Sequence, residues 1–148
     1  MNKLVESGRK EAQPSKEEVV YSLLHVAHSL EKRFEDALAK VDLSGPKFAA
    51  LTHLMQAGEP LSLSECAQKM TCVRSNITQL MDRLEADGLV RRVQDPSDRR
   101  TVRAALTSLG VKRQAAGAQV VDRLHKEFAR SLSAVDQAAL RRALRALG

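Results

Sequence analysis

Apolar residues recur at helical spacing near both ends of the chain. The first series follows an S-x-x-E capping box at Ser15 and predicts a helix of about six turns: Val19, Leu23, Leu30, Phe34 and Val41. A second series, capped by Thr107, predicts another long helix from about Ser108 to Arg130. The first of these helices has apolar positions on more than one side, more than a small monomer easily covers, which predicts packing against a helix of a second subunit.

Shorter periodic segments occupy the middle of the chain. Ser44 is a suitable N-cap for a helix over Lys47–Gln56, and Pro46 suits its first turn. A second S-x-x-E box at Ser62 predicts a short helix to about Met70, followed after a tight turn by a helix over 73–87. Two short helices joined by a tight turn are the helix-turn-helix arrangement.

The periodicity then changes to that of strands. Gly88 ends the preceding helix, and Leu89–Gln94 and Thr101–Leu106 have strand character on either side of the turn cluster Asp95–Asp98. This pattern predicts a β-hairpin, or wing. Ser133 and Asp136 repeat the capping pattern and predict the start of a last amphipathic helix.

Together, the helical and hairpin patterns predict a mainly α fold of the α+β class with a small β-hairpin wing.

The order of these elements predicts a winged helix-turn-helix with long helices forming a dimerisation region. We expect a flexible N-terminal arm over 1–14, helical dimerisation segments over 15–45 and 108–148, and a DNA-binding domain over 46–107.

Charge points to an anionic partner. The 148-residue chain has a net charge of +6, and seven arginines fall between Arg74 and Arg103. Aromatic residues make up only 3% of the chain, which argues against a protein that stacks single-stranded bases. Double-stranded DNA is therefore the expected partner.

The helix over 73–87 has one polar face. At 100° per residue, Ser75, Gln79, Asp82 and Ala86 point outward. Three residues flank that stripe: Asn76, Thr78 and Arg83. Small polar side chains on the first turns suit base edges in the major groove, and Arg74 and Arg83 suit phosphates. The alternative is an ordinary solvated helix face.

The wing tip carries Arg99 and Arg100. A guanidinium at a hairpin tip suits the narrow minor groove, and we expect Asp98 to hold the Arg100 side chain extended through a salt bridge. The alternative is an exposed turn whose charges keep the strands from aggregating.

The segment GLVRRVQDPSDRRTVRAALTSLG, residues 88–110, resembles the D-P-x-D-x-R…L-T-x-x-G wing motif of MarR-family winged-helix regulators, and SECAQKMTCVRSNITQLMDRLEADGL resembles their helix-turn-helix. The resemblance extends over roughly residues 15–148. It implies an obligate homodimer with interlocked first, fifth and sixth helices that binds a pseudo-palindromic operator. Such proteins are usually repressors released by a small phenolic or similar effector, or by thiol oxidation.

Carried over to this chain, the resemblance implies a major-groove set at Arg74, Ser75, Asn76, Thr78 and Gln79, and a minor-groove pair at Asp98 and Arg100, with Arg99 at a variable position. Val73 stands where many relatives have a capping Asp or Ser. The loss of that side-chain cap is worth about 1 kcal/mol unless Thr71 substitutes.

Cys66 and Cys72 have neither a zinc-finger nor a C-x-x-C spacing, and we expect them to be small buried hydrophobes in a reducing compartment. The alternative is a redox-responsive regulator, because oxidation of either thiol would disturb packing beneath the reading helix. The histidines include an H-x-x-H pair, His25 and His28, but no further ligand completes a metal site.

No catalytic constellation, phosphate-binding glycine loop, metal site or cofactor site is evident, so an enzyme is not expected. Neither a signal peptide nor a membrane span is evident, and we expect a cytoplasmic protein. A helical protein-interaction module that does not bind DNA is the remaining alternative.

Overall fold

The computed structural model describes residues 14–70 and 74–148, with side chains in the second range described from residue 76 onward. Six helices and three strands lie in this part of the chain. In chain order they are α1 (Lys16–Ala39), α2 (Gly45–Ala57), β1 (Leu61–Ser62), α3 (Leu63–Lys69), α4 (Arg74–Ala86), β2 (Val90–Gln94), β3 (Val102–Leu106), α5 (Ser108–Ser131) and α6 (Gln137–Leu147). The mainly helical fold with a small β-wing is confirmed.

The chain forms two compact units. The first ends at Lys32, and its described part consists of the start of α1, where most side chains are exposed. The second unit covers 33–148 and contains the remaining elements.

Four of the predicted helix caps are confirmed. The Ser15 hydroxyl accepts a hydrogen bond from the Glu18 N–H at 3.1 Å, and the Ser15 N–H donates to the Glu18 carboxylate at 2.6 Å. Ser62 and Glu65 form the same reciprocal box at the start of α3. Ser44 caps α2, and the Thr107 hydroxyl accepts from the Gly110 N–H at 3.0 Å. Local polar side chains therefore determine where four helices begin.

The wing belongs to a three-stranded antiparallel sheet in the order β1-β3-β2. The sequence predicted the two long strands but missed β1, whose two residues pair with Arg103 and Ala104 of β3. A two-residue strand has no periodicity of its own, and it forms here because β3 presents an edge beside the start of α3. The sheet thus joins the wing to the helix-turn-helix.

The core of the second unit lies beneath α4. Leu51, Ile77 and Leu84 are fully buried, and Met81 is 1% exposed. These residues come from α2 and α4 and pack with Leu89, Val90 and Ala104 of the sheet region. The buried side of α4 is therefore fixed to the rest of the unit by close packing.

The last helix begins later than predicted. The Ser133–Asp136 pattern predicted a start near residue 133, but residues 132–135 form turns and Asp136 is the N-cap of α6, accepting from the Ala139 N–H at 3.0 Å. Asp at the N-cap also suits the positive end of the helix dipole, so the acidic member of the pattern takes the capping role.

Candidate nucleic-acid interface

Helix α4 presents a polar face on the side opposite its buried residues. Asn76, Gln79 and Arg83 are exposed, and Thr78 is half-buried beside them. The inward positions predicted at Ile77, Met81 and Leu84 are confirmed as buried. The packing of one face therefore determines which polar side chains reach solvent.

Several predicted site residues are not described. Thr71, Cys72 and Val73 lie outside the described residues, and so do the side chains of Arg74 and Ser75. Their proposed roles in capping, redox sensing and groove reading remain predictions.

A network around Asp95 shapes the wing turn. The Asp95 carboxylate, in a residue only 6% exposed, accepts hydrogen bonds from the N–H and hydroxyl of Ser97 at 2.8 and 2.6 Å. It also accepts from the Arg103 guanidinium and, at 3.3 Å, from the Asp98 N–H. The bonds from Ser97 and then from Arg103 hold the pKa of Asp95 far below its usual range. Asp95 is therefore a charged residue that organises the turn backbone.

The predicted salt bridge between Asp98 and the Arg100 guanidinium is not formed. The Asp98 carboxylate instead accepts from the Arg100 backbone N–H at 3.0 Å and from the Thr101 hydroxyl at 2.9 Å. A short aspartate side chain satisfies nearby backbone N–H groups more readily than it reaches the end of a long guanidinium. Asp98 thus positions Arg100 through its backbone, and the Arg100 side chain is left exposed at the tip beside Arg99.

The seven arginines of the basic stretch do not share one role. Arg103 binds Asp95 and, at 3.0 Å, Glu65 of the α3 capping box, and it donates to the Pro60 carbonyl at 3.2 Å. Bonds from Ser62 and then the Arg103 charge lower the pKa of Glu65. Arg103 therefore links the wing to the start of α3.

Arg92 is likewise bound within the protein. Its guanidinium forms ion pairs with Asp82 and Glu85 of α4. Within the described part of the chain, Arg83, Arg91, Arg99 and Arg100 form no ion pair, and all four are exposed. Arg91 was not among the predicted site residues, because no motif marks it.

Cys66 is 2% exposed and belongs to the core beneath α4, as its position on the inward side of α3 predicted. Among the residues that the structure describes, no cluster of three or more histidine, cysteine or acidic side chains is arranged to hold a metal ion. In that same part of the chain, no helix is long and apolar enough to span a membrane.

A cleft of about 630 Å³ lies between the last two turns of α1 and the middle of α5. Its floor is apolar, and its rim carries three basic and two acidic side chains, with Arg33 paired to Glu127 at 3.1 Å. The basic members are Arg33, Lys40 and Arg123. The cleft combines apolar surface with a net positive rim.

Known proteins with similar sequences and structures are regulators. The model of the MarR family matches residues 43–102. The chain is 35% identical over 89 residues to the HTH-type regulator YsmB of Bacillus subtilis, covering 60% of each chain. It is 30% identical over 127 residues to the HTH-type transcriptional repressor IacR of Pseudomonas putida, covering 86% of this chain and 74% of IacR.

Other relatives are matched over a smaller share of their length: the matched region spans 60% of YsmB and 53% of an HTH-type transcriptional regulator from Methylorubrum extorquens. Among solved structures, the transcriptional regulator BldR from Sulfolobus solfataricus is 30% identical with a TM-score of 0.66, and the match covers 89% of this chain and 93% of BldR. The family match contains the helix-turn-helix and the wing as far as the first residue of β3. This chain belongs to the MarR family of transcriptional regulators.

Proposed function

We propose that this protein is a cytoplasmic homodimer that binds double-stranded DNA sequence-specifically and represses transcription until a small-molecule effector releases it. The observation that carries the proposal is the division of α4 into a fully buried face and an exposed face bearing Asn76 and Gln79. Amide side chains donate and accept hydrogen bonds, and they pair with adenine edges in the major groove. α4 is then the reading helix.

The wing supplies the second contact. Asp95 and Asp98 bind the backbone of the turn, so Arg99 and Arg100 are held at an exposed tip with their guanidinium groups unpaired within the described chain. Arginine inserted into a narrow minor groove gains from the negative potential there. Exposed Arg83 on α4 is placed for a phosphate.

Apolar side chains exposed on the terminal helices support a homodimer. On α1 they include Val20, Leu24 and Val26, and near the C-terminus Leu132, Leu144 and Leu147. Exposed apolar residues at successive helix turns are typical of helix–helix interfaces. Two-fold symmetry would place two copies of α4 in major grooves about one helical turn of DNA apart.

The cleft between α1 and α5 is our candidate effector site. Its apolar floor suits an aromatic ring, and Arg123 with Lys40 on the rim suits a phenolate or carboxylate. We expect 4-hydroxybenzoate and related phenols to release DNA from the wild type, and Arg123→Gln to need higher concentrations. Arg130→Gln, on the same helix but outside the cleft, is the control. If the same phenol concentrations release DNA from Arg123→Gln and from Arg130→Gln, this cleft is excluded as the effector site.

Selection of bound fragments from genomic DNA, followed by anisotropy titration of the recovered duplex and a shuffled duplex, tests the proposed function. We expect the recovered duplex to bind at least about 10³-fold more tightly at physiological salt. Equal affinity for the two would contradict specific DNA recognition and would favour a protein-interaction module.

Regulation through thiols is tested with the same duplex. Because Cys66 lies in the core beneath α4, its oxidation would introduce a polar group where packing holds the reading helix. Peroxide-treated protein with both thiols verified as oxidised, yet with full affinity, would exclude this alternative.

A further inference from the structure

Arg92 of β2 binds two carboxylates on the exposed edge of α4. One Nη atom pairs with Asp82, and the other lies 3.0 Å from Glu85 Oε2. The Arg92 backbone N–H also donates to Glu85 Oε1 at 3.3 Å. Both guanidinium nitrogens at the end of the side chain are thus engaged within the protein.

Asp82 lies close to the candidate reading surface. It is three residues after Gln79, so the two side chains point to one side of α4, about 60° apart around the helix axis. The Asp82 side chain is 55% exposed, and Gln79 is exposed as well. When α4 approaches a major groove, Asp82 and Glu85 approach the phosphates with it.

An unpaired carboxylate at this place opposes binding, because it repels phosphates and loses hydration as the interface closes. Of the arginines described in the basic stretch, Arg92 alone forms ion pairs with α4. It also connects α4 to the wing strand that precedes the tip. The same contact therefore offsets one of the two negative charges at the edge of α4 and ties α4 to β2.

We propose that Arg92 is a positioning residue for DNA binding: it offsets one of the two negative charges of Asp82 and Glu85 and holds α4 against β2, without contacting DNA itself. The inference rests on the proposed function. It separates Arg92 from exposed Arg91, its neighbour in the strand, which faces solvent with no ion pair in the described chain.

A double-mutant cycle tests this role. Arg92→Gln, Asp82→Asn and the Arg92→Gln/Asp82→Asn double variant are titrated with the recovered duplex at several salt concentrations. Arg113→Gln is the matched control, because it removes one arginine charge and one carboxylate pair, with Asp42, away from α4. Circular dichroism melting of every variant reports folding.

We expect Arg92→Gln to raise Kd about tenfold, and Asp82→Asn in that background to restore it to within about threefold of wild type. Asp82→Asn alone should bind within about threefold of wild type, and so should Arg113→Gln. If Arg92→Gln weakened binding only by damaging the structure, adding Asp82→Asn would not be expected to restore the affinity for DNA.

The inference is overturned if the double variant binds as weakly as Arg92→Gln. It is also overturned if the double variant loses about one unit of salt slope, as removal of a phosphate contact would. If Arg92→Gln does not fold, the single variant Asp82→Asn still tests the inference. A tenfold loss of affinity for the recovered duplex in folded Asp82→Asn would show that Asp82 itself contacts DNA, and this would also overturn the inference. If the wild type binds the recovered and the shuffled duplex equally, both the proposed function and the role of Arg92 are contradicted. If the wild type prefers the recovered duplex but Asp82→Asn does not restore the affinity of Arg92→Gln, only the role of Arg92 is overturned.

Discussion

At the residue scale, the charged side chains of the wing fall into two groups. Asp95 and Arg103 bind each other and their neighbouring backbone, whereas Arg99 and Arg100 extend into solvent. Charge alone did not distinguish these groups in the sequence. The distinction depends on which residues have a partner within reach across the hairpin.

Arg100→Ala should weaken binding to specific and shuffled duplexes alike and reduce the slope of log K against log salt by about one unit. The reason is loss of an exposed cation at the wing tip. Anisotropy titrations from low to physiological salt measure both quantities. An unchanged slope would show that the tip does not contact DNA.

Gln79→Ala should instead alter site preference. Loss of an amide from the exposed face of α4 should cost roughly 1–3 kcal/mol at particular base pairs and little on a shuffled duplex. Titration against single-base-pair variants of the recovered duplex identifies those positions. A uniform loss across all duplexes would assign Gln79 to the backbone.

Asp95→Asn should lower the melting temperature at pH 7, and the difference from wild type should narrow below about pH 4. The folded-state pKa of Asp95 is depressed, so its stabilisation is complete above the unfolded value and is lost as pH falls through the folded one. Melting by circular dichroism at pH 7, 4 and 3 measures this. Asp36→Asn is the control, because its carboxylate is exposed and forms no ion pair in the described chain. A difference in melting temperature between wild type and Asp95→Asn that does not change with pH would contradict the stabilising role of the Asp95 charge.

At the element scale, the T-x-x-G segment, residues 107–110, joins the turn after α4 to α5. Thr107 donates through its hydroxyl to the Gly88 carbonyl at 2.6 Å and through its N–H to the Leu89 carbonyl at 3.1 Å. A Cβ on Gly110 would lie 2.0 Å from that same Leu89 oxygen. The glycine is required because the start of α5 lies directly against the turn that ends α4.

Gly110→Ala should destabilise the fold by about 3 kcal/mol, because backbone must move to admit the methyl group. Gly58→Ala is the control: its Cβ would meet open space, so it should cost only about 1 kcal/mol for the left-handed backbone conformation. Chemical denaturation at fixed protein concentration compares them. Equal costs would contradict the close approach at Gly110.

Elements defined by short-range signals were predictable. The capping boxes at Ser15 and Ser62 and the apolar spacing of Ile77, Met81 and Leu84 depend on contacts within one or two turns.

β1 was missed because its two residues become a strand only through pairing with β3. The ion pairs of Arg92 and Arg103 were missed because they join different elements. For the site, sequence reasoning identified the exposed face of α4 but not which arginines are already engaged.

At the whole-molecule scale, exposed apolar side chains on α6 support association. Leu144 and Leu147 are 48% and 64% exposed, and Arg141, Arg142 and Arg145 are also exposed. A helix with this composition gains stability by placing its leucines against another apolar surface.

Leu144→Glu should therefore raise the dissociation constant of the proposed dimer by about tenfold or more, because a carboxylate would be buried at the proposed interface. Sedimentation equilibrium over a range of concentrations measures it. Gln137→Glu adds the same charge in the first turn of α6 and should leave association unchanged. A monomeric wild type, or equal effects of both substitutions, would contradict the proposed interface.

The contact between Gly110 and Leu89 also bears on how a signal would travel. The junction has no room for a side chain, and Thr107 bonds to Gly88 and Leu89 of the turn that follows α4. A rotation of α5 must therefore carry that turn with it, since there is no gap for the two to slide. We therefore expect a displacement of α5 to move α4 as well, because no flexible hinge separates the start of α5 from that turn.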